Sequence, residues 1–253
     1  MRQASLVLII LLLMPLVLTG QSLKSAEQYY RSGISKKAKG DLDGAIADYS
    51  KAVEINPRHA EAYANRGIAR KTKGDLDGAI ADYDKAIALN PRLKEAYNNR
   101  GVARQLKGNL VEAISDFDKA LEIDPHYAGA HYNLATAARA KGDRQKAVAE
   151  LTEAIESPDN DHLSESYNNR GTIRHEQGDT VGAVADFSKA IEIDPKNVFA
   201  YANRGYALIL LGKDNEAQKD FDQILKMNQS LKQEIEETIR KAKAERDAKK
   251  VGS

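Results

Sequence analysis

The sequence predicts an all-α solenoid, six stacked helical hairpins followed by a capping helix. Three observations carry the prediction. A pattern recurs every 34 residues: Glu61-Ala62-Tyr63-Ala64-Asn65-Arg66-Gly67 falls under Glu95-Ala96-Tyr97-Asn98-Asn99-Arg100-Gly101, and Tyr167-Asn168-Asn169-Arg170-Gly171 and Tyr201-Ala202-Asn203-Arg204-Gly205 repeat it. Within each period, small and bulky residues keep the same places. Gly stands at the middle of each period, and in most of them Pro stands near the end. A unit of this length cannot bury its apolar face alone and must stack on its neighbours.

The chain begins with Met1-Arg2 and an almost purely apolar run, Leu6 to Leu18, which gives way to Thr19-Gly20-Gln21-Ser22. A positive start, a short apolar stretch and a small polar close are the layout of a secretory signal, so residues 1–22 are read as a signal peptide or an N-terminal anchor. Cleavage after Gly20 exports the protein to a periplasm or the medium. Retention would tether it to a membrane through residues 4–20, a stretch short for a span and interrupted by Pro15. Gln21 stands where a lipoprotein signal would need Cys, and the chain has no Cys. Lipidation, disulfides and thiolate chemistry are thereby excluded.

Six units follow, at 26–59, 60–93, 94–127, 128–161, 164–197 and 198–231. Counting each from 1 to 34, position 8 is Gly33, Gly67, Gly101, Ala135, Gly171 and Gly205, and position 20 is Ala throughout. Position 27 is Ala in every unit but the last, and position 24 is aromatic or Leu: Tyr49, Tyr83, Phe117, Leu151, Phe187, Phe221. Ile or Val three residues earlier in the first five units and an aliphatic four later in all six complete one apolar stripe at helical spacing. Gly40, Gly74, Gly108, Gly142, Gly178 and Gly212 stop the first helix, where a left-handed residue is needed. Asp41, Asp75, Asn109, Asp143 and Asp179 are placed to cap the second helix, and Asn-Pro or Asp-Pro pairs end it. The fourth unit departs, with His131, Leu134 and Ala135 in place of Tyr, Arg and Gly and a two-residue longer end, read as a lengthened loop. Residues 232–253 form a capping helix and basic tail. Leu231, Ile235, Ile239 and Ala242 keep a narrow apolar stripe, and the stretch from Lys241 on is expected to fray.

Small residues at 8, 20 and 27, an aromatic at 24 and Pro at 32 resemble the tetratricopeptide repeat. The resemblance covers Ala26 to Leu231 and implies a right-handed α-solenoid of tetratricopeptide helix-turn-helix repeats with a C-terminal capping helix. One departure is regular. Position 7, usually a buried Leu in that family, is Arg66, Arg100, Arg170 and Arg204, and each of these units has an acid at position 23: Asp82, Asp116, Asp186, Asp220. These are expected to pair across the hairpin.

The sequence holds no signature of catalysis. The five His residues are scattered without metal-ligand spacing, the glycines recur singly rather than as a phosphate loop, and no Ser sits in a nucleophile elbow. No metal, no cofactor and no enzymatic activity are therefore expected. With 38 Lys+Arg against 37 Asp+Glu, no basic excess points to nucleic acid. The resemblance instead implies a protein-interaction scaffold that binds a peptide or partner protein on its concave surface, lined by positions 2, 5, 6, 9, 12 and 13 of the first helices. Position 6 is Asn65, Asn99, Asn133, Asn169 and Asn203, a candidate ladder of amides for a ligand's backbone; the same residues are also read as simple family consensus. A carboxylate clamp of the chaperone-binding kind is not expected, because position 5 lacks its Lys and position 2 is Glu27, Glu61, Glu95 and Glu165. The alternative is a structural array that self-assembles through its ends or convex surface.

Overall fold

The structure, a computed structural model, describes residues 25–251. The segment read as a signal or anchor lies outside them. Among the described residues, no helix is long and apolar enough to cross a membrane.

Twelve α-helices form six hairpins among the described residues: α1 (Ala26–Ala38) with α2 (Leu42–Ile55), α3 (Ala60–Thr72) with α4 (Leu76–Leu89), α5 (Lys94–Leu106) with α6 (Leu110–Ile123), α7 (Ala128–Ala140) with α8 (Arg144–Glu156), α9 (Leu163–Glu176) with α10 (Thr180–Ile193), and α11 (Val198–Leu210) with α12 (Asp214–Met227). A 3₁₀ turn (Gln229–Leu231) leads into α13 (Lys232–Val251). Each first helix packs on its own second helix, and that second helix on the first helix of the next unit. The core is a row of small clusters strung along the junctions between units, two of them where units two and three meet, as stacking of near-identical hairpins requires.

The hairpins close where expected. All six mid-unit glycines have positive φ, from 77° at Gly212 to 91° at Gly178, a conformation costly for residues with a Cβ. The side chains of Asp41, Asp75, Asp143 and Asp179 accept from backbone N–H groups in the first turn of the following helix. Asn109 makes no such bond.

The close approach of the two helices explains the glycine at position 8. A Cβ at Gly101 would sit 2.5 Å from Cε1 of Phe117, and one at Gly67 would sit 2.7 Å from Cε1 of Tyr83. The aromatic ring occupies the space the missing side chain leaves. The fourth unit relaxes both sides of this contact at once: Ala135 faces a cluster built around Leu151, where a smaller side chain admits the extra methyl.

The C-terminus differs from expectation. Helix α13 continues to Val251 instead of fraying beyond Lys241. Ala242 is fully buried, the Tyr206 hydroxyl donates to Glu245, and Arg246 bonds Asp214 at 2.7 Å and the Ile209 carbonyl at 3.3 Å. These long-range contacts hold a stretch whose own sequence is mostly charged.

Candidate functional site

The candidate site is the surface formed by the first helices, α1, α3, α5, α7, α9 and α11. Its supports lie beneath, in the ion pairs between positions 7 and 23. Arg66 grips Asp82 through Nε (2.9 Å) and Nη2 (2.6 Å), and the fork recurs in Arg100–Asp116, Arg170–Asp186 and Arg204–Asp220. Two partners were not foreseen. A second arginine four residues on shares the same acid: Arg70 with Asp82, Arg104 with Asp116 and Arg174 with Asp186, each at 2.8 Å. The position-7 arginine also reaches backward to the preceding unit, where Arg100 meets Asp84 at 2.6 Å and Arg66 meets Ser50 at 3.1 Å. The guanidiniums lie over Tyr63, Tyr97, Tyr167 and Tyr201, 5.4–5.8 Å from the ring centres. Each arginine thus binds a hairpin internally and ties it to its neighbour, fixing the first helix that carries the site.

The fourth unit uses a different pair. Leu134 and Ala138 replace both arginines, and the acid, Glu150, turns to His131. His131 Nδ1 is 2.8 Å from Glu150 and Nε2 is 3.0 Å from the Pro125 carbonyl. Both neighbours are acceptors, so both ring nitrogens are suited to donate. Burial pulls the His131 pKa down, but the Glu150 carboxylate and the Pro125 carbonyl outweigh it, and the pKa is raised overall.

The five ladder amides are all half-buried on the site surface. Four of them donate across the unit boundary to position 5 of the preceding first helix: Asn65 to the Tyr30 hydroxyl (3.2 Å), Asn133 to Asn98 (2.9 Å), Asn169 to the Tyr132 hydroxyl (3.1 Å) and Asn203 to Asn168 (3.0 Å). Asn99 follows Ala64, which offers no side-chain acceptor, and donates instead to the Glu95 carbonyl at 2.8 Å.

The carbonyl ends of the amides divide the ladder in two. Oδ1 of Asn65 accepts from Lys37 and Oδ1 of Asn99 from Lys71, both at 2.9 Å. Oδ1 of Asn133, Asn169 and Asn203 has no protein partner among the described residues. The last rung also meets a boundary. Helix α13 packs on Ala202 and Tyr206 and holds Ile209 at 2% exposure, so unit six has groove positions 5, 9 and 12 engaged by the chain's own cap. Among the described residues no group of three or more His, Cys, Asp or Glu side chains is placed to hold a metal ion.

Comparison with known proteins agrees with this geometry. The chain matches the family described as TPR repeat over residues 35–74, 69–108 and 165–212, and as tetratricopeptide repeat over 95–127, 128–161 and 200–231. No curated protein matches it. Among solved structures, MamA is 28% identical, with 68% of this chain and 93% of that one aligned at a TM-score of 0.57. YrrB, a TPR protein with an unusual peptide-binding site, is 26% identical over 71% of this chain and 92% of its own, at a TM-score of 0.56. PilF of Pseudomonas aeruginosa, 17% identical, aligns over 87% of this chain and 97% of its own at a TM-score of 0.74, a likeness of fold alone.

Proposed function

The chain belongs to the tetratricopeptide repeat family, and from that premise we propose that it is a non-enzymatic scaffold holding an extended segment of a partner protein along its first-helix surface. The observation that carries the reading is the state of the amide ladder. Asn133, Asn169 and Asn203 each spend a donor on the preceding unit while the carbonyl oxygen keeps its acceptor capacity. An amide already held in place accepts a backbone N–H at a smaller entropic cost than a mobile one, and it does so whatever the ligand's side chains. YrrB, a relative with a peptide-binding site, supports the class of ligand. A charged, solvated outer face on α13 disfavours end-to-end stacking at that end, so self-assembly is the weaker reading. Residues 1–22 would deliver the scaffold to the cell exterior or hold it at a membrane, which N-terminal sequencing of the mature protein decides.

The test is a peptide array probed with wild type and with Asn133→Ala/Asn169→Ala/Asn203→Ala, while circular dichroism and melting temperature are followed in parallel. Weaker capture at unchanged helicity supports the groove. Equal capture by both proteins would sink it, and a concentration-dependent oligomer in light scattering would favour the array.

A further inference from the structure

The two halves of the groove carry different chemistry. In units one to three, position 9 is aliphatic, with Ile34 39% exposed and Ile68 and Val102 half-buried, and Leu106 stands 63% exposed one turn further on. Beside this strip lie Lys37 and Lys71. Six other basic side chains of these units are half-buried, and every one has a carboxylate within 4.0 Å: Lys36 pairs with Asp48, Arg66 with Asp82, Arg70 with Asp82, Lys94 with Asp124, Arg100 with Asp116 and Arg104 with Asp116. Lys37 and Lys71 have no carboxylate partner among the described residues, only the neutral Oδ1 of Asn65 and Asn99. Their pKa values are lowered by burial, as expected of cations partly stripped of water without an anion in exchange.

We propose that the groove of units one to three recognises an extended acidic segment, with a carboxylate at every third residue for Lys37 and Lys71 and aliphatic side chains between them for the strip of Ile34, Ile68 and Val102. The inference rests on the groove reading above and adds the ligand's chemistry to it. The spacing follows from the stack. Helices α1 and α3, and α3 and α5, approach within 8 Å between Cα atoms, and packed helix axes lie ~8–10 Å apart. A polyproline-type strand has three residues per turn at ~3.1 Å each, so its same-face side chains recur every ~9 Å. Equivalent lysines in successive units therefore meet residues i and i+3. The acidic rail at position 2 stands one helical turn, ~6 Å, from the amides that hold the two ammoniums, so a ligand carboxylate is admitted only where it meets a lysine itself. Units four to six offer no such pair: Arg139 is bound to Glu176, His175 packs against Tyr206, and Ile209 is buried under α13.

The experiment uses fluorescence anisotropy with labelled twelve-residue peptides at low salt. The probes are Leu/Pro-based sequences with Glu at every third position, the Gln analogue, and a scrambled peptide of the same acidic composition. Wild type is expected to bind the spaced acidic peptide at least tenfold tighter than the Gln analogue, and Lys37→Met/Lys71→Met is expected to erase that difference. Equal binding of Glu and Gln peptides by wild type overturns the acidic preference but leaves the groove reading standing. Equal binding of spaced and scrambled acidic peptides overturns the three-residue register, and a preference that survives in the double variant overturns the lysine assignment. Failure of every peptide to bind, with the proteins folded by circular dichroism, overturns both readings.

Discussion

Units three and four are neighbours in the stack and build the same hairpin from opposed chemistry. In unit three, Gly101 admits Phe117, and Asp116 is buried at 2% exposure beneath two arginines. In unit four, Ala135 faces Leu151, Leu134 is buried at 2% in the arginine's place, and the acid pairs with His131. Between these two units positions 7, 8, 11 and 24 change together, whereas unit six keeps Arg204, Gly205 and Phe221 with Leu208 at position 11. Enlarging position 8 requires a smaller position 24, and removing both arginines requires the acid to find another cation. A permanently charged network in one unit is replaced by an ionisable pair in the next.

Breaking the anion in each unit sharpens that difference most. Asp116→Ala leaves Arg104 without a carboxylate and Arg100 with Asp84 alone, and is expected to cost about 3 kcal/mol in chemical denaturation. Glu150→Ala should cost clearly less, because His131 can shed its proton where arginine cannot. Equal losses at the two sites would show that the units are held by something other than these pairs.

The volume exchange predicts a rescue. Gly101→Ala pushes a methyl into the Phe117 ring and should cost ~1–3 kcal/mol. Gly101→Ala/Phe117→Leu rebuilds the pairing of unit four, so the double variant should be more stable than the sum of the single changes by at least ~0.5 kcal/mol. Simple additivity in the denaturation midpoints would refute the exchange.

A smaller effect concerns the ring at position 24. The hydroxyls of Tyr49 and Tyr83 are buried without a hydrogen-bond partner, and burial pushes the Tyr49 phenol up to about 12. Units three, five and six carry Phe there. Tyr83→Phe should therefore leave stability unchanged or raise it by ~1 kcal/mol, read as a higher melting temperature, since an unsatisfied buried hydroxyl is removed at no loss of packing.

The last prediction isolates His131 by pH. Its pKa is raised in the folded state, so its contribution is fully present below the unfolded value of 6.5 and is lost as pH rises through the folded one. Wild type should lose melting temperature over that interval relative to His131→Gln, which cannot titrate. Parallel curves for the two proteins would remove the switchable pair from unit four.

Much of this was legible in the sequence because the repeat supplied internal comparisons. Gly at position 8 opposite an aromatic, Gly at the mid-unit turn, and Arg at 7 together with Asp at 23 recur in step, and each implies a local contact within one hairpin. The amides of the candidate site were equally visible as residues. What could not be read was where their hydrogen bonds go, since Asn133 donates to Asn98, 35 residues back, and Lys71 to Asn99, 28 residues ahead.

The sequence by itself therefore determined the period, the helix stops and the pairing inside each hairpin, because those depend on spacing along one or two helices. Only the tertiary structure decided that three ladder carbonyls stay open while two accept lysines, that a second arginine shares each of three buried acids, and that α13 stays helical past Lys241 and covers the last groove positions. The first and last of these outcomes depend on how closely separate units approach, a distance set by packing across the stack, and the second on which side chains meet around one buried acid inside the hairpin.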